Sequence, residues 1–458
     1  MTIISCELVK ETVAKLCKQA AEELSDTAYD KVLSQYKKTK SQKLGLILNN
    51  AFKADDIKRP LCQDTGTVHV FLEVGNEISF SSDLYSAIND GVKQAYKENF
   101  YRKSIIENTF LTAKNTETNT PALINSDFAE GDKLKIMVLL KGAGCDNVTD
   151  LKMFNPSLTI EELIEYETKL ISERAKNACP PSFVSIAIGT SAADAVKTAE
   201  KAYFSDNNDM QEISEKILDG VNKNANNYEN YLAADIKITL KPHHMASIPV
   251  ATVFNCHSLR KSMAIIKNNS VEFLDIVPKY QQIQSGKSDY KEVFTYDVDA
   301  LKSLQEGKNI LLSGEILIAR DAAHKKMLEY KNIGKKLPFE IKDKIIFYAA
   351  PCPPNKSEIV GPIGPTTAHR MDKYLNEFPE IAATIGKGER SETAKETIRN
   401  NNSVYFQAEG GIATLLASCF EDYKIIAFEE LSTEAVSLAK INKLPLKVAI
   451  SPNKKEPI

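Results

Sequence analysis

Residues 180–204 read PPSFVSIAIGTSAADAVKTAEKAYF. This stretch is a strand, a tight turn and a helix in succession, with Thr190 or Ser191 placed to cap the helix. Upstream, helices are expected at roughly 7–24, 26–39 and 43–53. In the first of these, Leu8, Val13, Leu16 and Ala20 fall at helical spacing. A strand follows at 68–74 and a helix at 84–99. Residues 134–144 run as a strand into a glycine loop, and a helix spans Thr159 to about Lys176. Downstream, 235–240 and 247–254 are strand-like. This half is mixed α and β, weighted to helix.

Residues 276–292 (IVPKYQQIQSGKSDYKE) are polar, contain Ser-Gly and show no periodicity, which is the reading of a linker. The expected domains are therefore 1–275 and 293–458, an α/β chain in two parts. In the second part, strands such as NILLSGEILIARD (309–321), KIIFYAA (344–350) and IAATIGKG (381–388) alternate with short helices. That rhythm predicts a compact layered α/β domain.

With 458 residues, 43% of them hydrophobic, the chain has material for real cores, and its length suggests about two to four domains. Lys+Arg 58 against Asp+Glu 61 leaves a net charge of −3, so nucleic acid is not an expected partner. No stretch approaches the roughly 18 apolar residues of a membrane helix. The N-terminus carries acids and no hydrophobic h-region, so no secretory signal is read there. Eight scattered cysteines without a C-x-x-C pair argue against a disulfide framework or a zinc ribbon, and the default compartment is a reducing cytoplasm. Cys6, Cys17, Cys352 and Cys419 read as small buried hydrophobes.

Several clusters carry possible chemistry. RPLCQDTGT (59–67) packs Cys62, Gln63, Asp64 and Gly66 before a strand; a plain Asp-Thr-Gly turn beside a buried cysteine is the alternative. Cys179 precedes Pro180 and Pro181, which fits either a fixed thiolate or an ordinary helix stop. Cys256 ends an apolar strand beside His257 and Arg260, whose charge favours a thiolate. His244 lies upstream and by itself reads as a hydrogen-bonded structural residue. GAGC (142–145) lacks both the dinucleotide and the P-loop spacing, so it is an ordinary turn or a close-approach anion loop. In GPIGPTTAHRMDKY (361–374), Thr366 and Thr367 are placed to cap a helix, with Arg370 on the same face as Thr366. Arg320 and Lys387 stand at expected strand ends, where ligands bind in layered α/β domains. Each alone is a solvated charge; together they suit a small dianion.

The motifs RPLCQDTGT, KGAGC, ACPP, the strand ending in Cys256, GEILIARDAAHKK and GPTTAHRMDKY resemble those of class I fumarate hydratases. That family of iron–sulfur hydro-lyases also includes the L(+)-tartrate dehydratases. The resemblance runs from about residue 55 to about 450, with the α unit first and the β unit second in one chain. It implies a [4Fe–4S] cluster on Cys62, Cys179 and Cys256, with one iron left open. It implies Asp64 and Thr366 as catalytic groups, and substrate contacts from Gln63, Arg102, Gly144, His244, Arg320, Thr367, Arg370 and Lys387. It further implies a C-terminal swivelling β/β/α domain, a small dicarboxylate substrate and a homodimer.

The chain departs from the family where K-G-G-G-S is common: here Lys141, Gly142, Ala143, Gly144 and Cys145 stand in series. His257 and His369 are further departures. The expected reaction is the reversible hydration of fumarate to (S)-malate. The rivals are L(+)-tartrate or mesaconate as substrate, a non-catalytic iron–sulfur sensor, and a zinc protein.

Overall fold

The computed structural model describes residues 2–111, 114–225, 231–275, 278–283 and 290–452. The chain forms two compact units, Met1–Ile283 and Gln284–Ile458.

Among the described residues the first unit contains a five-stranded sheet, a four-stranded sheet and a short parallel pair, Thr2–Ile4 with Ile78–Phe80. In the five-stranded sheet the order is Ser270–Phe273, Lys261–Lys267, Leu134–Lys141, Thr67–Gly75, Leu123–Ala129. Helices Cys6–Glu22 and Leu84–Glu98 cover it. Val9, Val13, Leu16 and Ala20 recur at helical spacing and pack into one core with Val70, Leu72, Val138 and Leu140. Truncating Leu16 to alanine there costs about 2–5 kcal/mol.

The four-stranded sheet has the order Asp150–Phe154, Ile248–Asn255, Ser182–Thr190, Ala233–His243. Strand Ser182–Thr190 is buried almost throughout, which explains why its sequence does not alternate. Ser191 is the N-cap of the next helix, Ala192–Lys201: its side chain accepts from the Asp194 N–H at 3.3 Å. Thr159 closes a capping box with Glu162 at the start of helix Ile160–Arg174. The glycine loop expected after residue 141 is instead a single helical turn, Ala143–Asp146. Cys145 N–H and Asp146 N–H both bond back to the Gly142 carbonyl, so the small residues wind rather than extend.

Residues 276–277 and 284–289 of the expected linker lie outside the described residues. Residues 278–283 are docked on the first unit's helices. Tyr280 Oη donates to Leu24 O at 2.6 Å, and Asn49 bonds both the N–H and the carbonyl of Ile283. Residues 291–292 already belong to strand Lys291–Phe294.

The second unit is built on a seven-stranded sheet. Strands Asn309–Ile318, Ile345–Phe347, Ala383–Gly386 and Val404–Gln407 are parallel neighbours in that order. The long strand Val436–Ile450 pairs antiparallel with both Val404–Gln407 and Asn309–Ile318, so five strands close into a ring. Helix Asp321–Asn332 packs Ala323 and Met327 into a core with Tyr348, Met371 and Phe378. The stretch after Thr367 forms a 3₁₀ helix, Ala368–Tyr374, where an α-helix was expected. Thr367 is its N-cap residue but makes no side-chain cap bond. Thr366 lies before the helix, so the shared helix face expected for Thr366 and Arg370 does not form. With three residues per turn, four-residue spacing no longer aligns side chains.

Candidate functional site

In the first unit the site begins where three distant segments end. Residues 59–66 turn from helix Gln42–Ile57 into strand Thr67–Gly75. Leu61 N–H donates to Ala21 O at 2.9 Å, and Asn50 Nδ2 donates to Leu61 O at 3.0 Å, which pins Cys62 from behind. Thr65 Oγ1 donates to the Arg102 carbonyl at 2.7 Å, bringing the Arg102 backbone to the same turn. Gly66 has φ +77°, and a Cβ there would sit 2.6 Å from the Lys141 carbonyl oxygen. Only glycine allows that crossing.

The Asp64 carboxylate accepts from Gly66 N–H at 3.2 Å and from Ala143 N–H at 3.1 Å. It is therefore aimed by two backbone donors. Gly142 leaves room for this: a Cβ there would meet Asp64 Oδ2 at 3.1 Å and Arg260 Nη2 at 3.2 Å. Gly144 follows in the same turn, half-buried. Beneath it the buried Lys141 ammonium pairs with Glu200 at 2.7 Å and Asp146 at 3.0 Å, while His69 holds the other Glu200 oxygen at 2.9 Å.

Cys179 adopts a left-handed backbone (φ 55°), a conformation costing about 1–3 kcal/mol for a residue with a Cβ. Its carbonyl accepts from His257 N–H at 3.4 Å, joining it to the segment of Cys256. Cys256 follows the last residue of strand Ile248–Asn255, and the Asn255 side-chain oxygen accepts its N–H at 2.9 Å. Cys62 Sγ lies 3.5 Å from Gln63 Oε1, its acceptor.

The sulfurs share one electrostatic neighbourhood. Burial pushes the Cys62 thiol up to about 12; Arg260 opposes this, while Asp64, Cys256 and Cys179 reinforce it. A hydrogen bond from the Cys145 thiol holds Cys256 well below the usual thiol range against its burial, with His257 and Arg260 helping. Cys145 is raised by that same bond and by burial. The departure at Cys145 thus places a fourth thiol beside the expected three.

The donor set fits an iron–sulfur cluster. Soft thiolates are the right chemistry, and a cluster binds each one at a different iron, so the ligands need not meet at one point. Among the described residues no three His, Cys, Asp or Glu side chains stand close enough to share a single metal ion. Two buried N–H donors beside these cysteines, Arg260 Nε and Asn255 Nδ2, have no hydrogen-bond partner among the described residues. Such orphans are rare in folded proteins, and an anionic group held by the thiolates would offset the Arg260 charge beside Cys62 and Cys256.

His244 is not brought to this cluster within its chain. It is exposed in the turn after strand Ala233–His243, its Nδ1 accepting from Ala246 N–H at 3.0 Å. Register sets Phe183 beside Asn255 at one end of the sheet and Thr190 beside His243 at the other. Those ends lie about 23 Å apart at roughly 3.3 Å per residue.

In the second unit, Arg320 and Lys387 follow the carboxyl ends of strands Asn309–Ile318 and Ala383–Gly386. These are separated by one strand, or roughly 10 Å. Thr366 and Thr367 join the same edge. Lys387 N–H donates to Thr366 O at 3.0 Å, and Ala368 N–H donates to Lys387 O at 2.8 Å. Thr366 is 8% exposed. The Arg370 guanidinium forks onto Asp321, with Nη2 at 2.6 Å and Nε at 3.1 Å. Arg320 Nε lies 3.2 Å from Asp321 and 3.3 Å from Glu434. Burial raises the Asp321 carboxyl, but Arg370 and Arg320 outweigh it and hold the group below the ordinary carboxylate range.

Three supports had no signal in the spacing of the motifs: Asp321 between the two arginines, and the pair Arg390–Asp372. Buried Arg390 reaches Asp372 at 2.8 Å and the Ala368 carbonyl at 2.6 Å, fixing the 3₁₀ turn after the threonines. An arginine one turn beyond a lysine-glycine loop is the trace it leaves in sequence.

Two family models cover nearly the whole chain: fumarate hydratase (Fumerase) matches residues 10–265 and Fumarase C-terminus matches 264–456. The aerobic class I fumarate hydratase of Salmonella typhimurium is 29% identical over 422 residues, covering 84% of this chain and 72% of that protein. Fumarate hydratase 2 of Leishmania major is 26% identical over 442 residues, covering 88% and 77%. The putative L(+)-tartrate dehydratase subunit alpha of Methanocaldococcus jannaschii is 30% identical over 280 residues, covering 57% and 98%. No described helix is long and apolar enough to cross a membrane. The chain, an enzyme, belongs to the fumarate hydratase family of hydro-lyases.

Proposed function

We propose that this enzyme adds water reversibly to fumarate, giving (S)-malate, with a [4Fe–4S] cluster held by Cys62, Cys179 and Cys256. What supports the reading is that the remote Cys179 and Cys256 both act electrostatically on buried Cys62, beside the Asp64 carboxylate aimed by two backbone N–H groups. When bound, a cluster iron without a cysteine supplies Lewis acidity toward a substrate carboxylate and lowers the pKa of a bound water.

The chain's own groups do the rest. Asp64 exchanges the proton of the entering or leaving hydroxyl at a carboxylate oxygen. Thr366 Oγ1 serves the proton at C3 of malate, and the Arg370 and Lys387 cations favour its alkoxide when it acts as base. Arg320, Arg370, Lys387 and Thr367 bind the carboxylates, with Gln63, Arg102 and Gly144 as further contacts; His244, remote from Cys256 within its own chain, is left out of this set. Forked arginines suit carboxylates in a way that lysine alone does not. The eight free cysteines support a reducing cytoplasm as the working compartment, and we take the active form as a homodimer.

The test is malate formation from fumarate by anaerobically purified protein. A Cys62→Ser variant should lose both iron and activity; equal turnover in that variant overturns the cluster reading. The tartrate dehydratase relative gives a second reading, the same chemistry on L(+)-tartrate. Comparing kcat/KM for fumarate, L(+)-tartrate and mesaconate under strict anaerobiosis decides between them.

A further inference from the structure

Arg260 is 2% exposed, which makes it one of the largest fully buried side chains of the protein. Its titratable neighbours are Cys62, Cys256, Asp64 and Tyr96. Nη1 donates to the Asp64 carbonyl at 2.5 Å, and Nη2 lies beside the bare Cα of Gly142. Its own carbonyl accepts from Leu140 N–H at 2.9 Å, which fixes its backbone against the strand that leads into the Gly142 turn. Nε has no partner among the described residues. One side chain therefore touches the Asp64 turn and the Gly142 turn, four residues beyond Cys256.

A buried guanidinium is costly unless it is paired and its donors are satisfied. Among the described residues its guanidinium donates to the Asp64 carbonyl, and Nε is left over. We propose that Arg260 is a positioning residue, the fixed counter-charge to the anionic group held by Cys62, Cys179 and Cys256 and the strap that aligns Asp64 with it. This rests on the cluster reading above. Outer partners of this kind set how tightly a metal group is held, and nearby charge sets the potential of an iron–sulfur centre. In the iron-free protein the same charge keeps Asp64 and the lowered Cys256 thiol as its counter-charges. Its removal should therefore weigh more on the loaded state than on the iron-free one.

The test uses full-length Arg260→Met and Arg260→Lys, reconstituted anaerobically with ferrous iron and sulfide. Arg260→Met should release iron to a chelator about 10-fold faster or more than the unaltered protein, with Arg260→Lys in between. The midpoint potential of Arg260→Met should move negative, since a positive charge is lost. Iron-free Arg260→Met should lose clearly less resistance to urea, relative to unaltered iron-free protein, than the loaded variant loses relative to the unaltered loaded protein. Unchanged iron retention and potential in Arg260→Met overturn the proposal. So does an iron-free form that is destabilised as much as the loaded one, which is the mark of a purely structural role. If the unaltered protein takes up no iron while remaining folded, the cluster reading itself has failed.

Discussion

The two units hold their chemistry-bearing side chains by different means. In the first, the groups are sulfurs and one carboxylate, drawn from segments nearly two hundred residues apart and fixed by backbone crossings such as Gly66 over Lys141. In the second, the groups are cations and hydroxyls at the carboxyl ends of neighbouring parallel strands, and carboxylates steady them: Asp321 for Arg370 and Arg320, Asp372 for Arg390. The first arrangement depends on close packing and tolerates little. The second depends on charge pairing, which water partly screens because Arg370 is half exposed.

Substitutions in the two units should separate along that line. Asp64→Asn keeps the side-chain shape but removes the proton carrier and one of the two oxygens that accept from Gly66 N–H and Ala143 N–H. It should lower kcat for fumarate hydration by about 10²- to 10⁴-fold with iron content unchanged. An Asp64→Asn protein that turns over normally removes the assignment. Asp321→Ala in the second unit removes the carboxylate that Arg370 forks onto and one of the two that Arg320 Nε faces, without touching the sulfurs. It should lower kcat/KM by about 10- to 100-fold, mainly through KM, again with full iron. If it instead loses iron, the independence of the two arrangements is wrong.

Much of the framework was legible because its signals are local. The 180–204 stretch declared its strand, cap and helix, and Ser191 caps as read. Apolar spacing found the helices that cover the first sheet. What escaped were elements with weak patterns. Edge strand Leu123–Ala129 is mostly solvent-facing and carries Asn, Ser and Asp, so nothing alternates. Strand Lys261–Lys267 lies just beyond Cys256 and is defined by its partner, Leu134–Lys141, across more than a hundred residues. The 3₁₀ form of Ala368–Tyr374 also escaped, because propensity does not distinguish it from an α-helix. The individual motifs were visible, but only tertiary packing shows that Arg260 touches the Asp64 turn, or that Asp321 bridges two arginines. His244 stands at the sheet end remote from Cys256, a separation that no linear spacing encodes.

The units also bury titratable groups of opposite character. Glu167, on helix Ile160–Arg174, is fully buried against strand Ile248–Asn255, with Thr252 Oγ1 3.0 and 2.8 Å from its two oxygens. Burial pushes its carboxyl up to about 8; Asp150 adds to this, while Thr252, Lys152 and Arg174 oppose it. The unfolded chain releases that proton near the ordinary value of 4.5, so between about 4.5 and about 8 the folded state binds the extra proton. Stability is then fully present below 4.5 and falls as pH rises, with a slope on the order of 1.4 kcal/mol per pH unit. Glu167→Gln should flatten this limb in urea titrations of iron-free protein. A variant with the unaltered slope shows that Glu167 is not its source.

His324 in the second unit acts in the other direction and over a narrower range. Its ring packs among Tyr348, Tyr374 and Phe378, and its Nδ1–H is assigned as the donor to the Arg320 carbonyl at 3.0 Å. Burial holds its pKa down to about 4; the Arg320 carbonyl and Asp321 oppose this, and Arg390 adds to it. Below the ordinary value of 6.5 the unfolded chain takes up a proton that the folded ring refuses until about 4. The group's contribution is therefore fully present above 6.5 and is lost as pH falls toward 4, the mirror image of Glu167. His324→Phe preserves the aromatic packing and removes the titration. It should flatten the acid limb between 6.5 and 4 while leaving the Glu167 limb as it was. If the acid limb persists, the charge that unfolds the second unit in acid lies elsewhere, with the Asp321 carboxylate, held below its ordinary range by Arg370 and Arg320, as the next group to substitute.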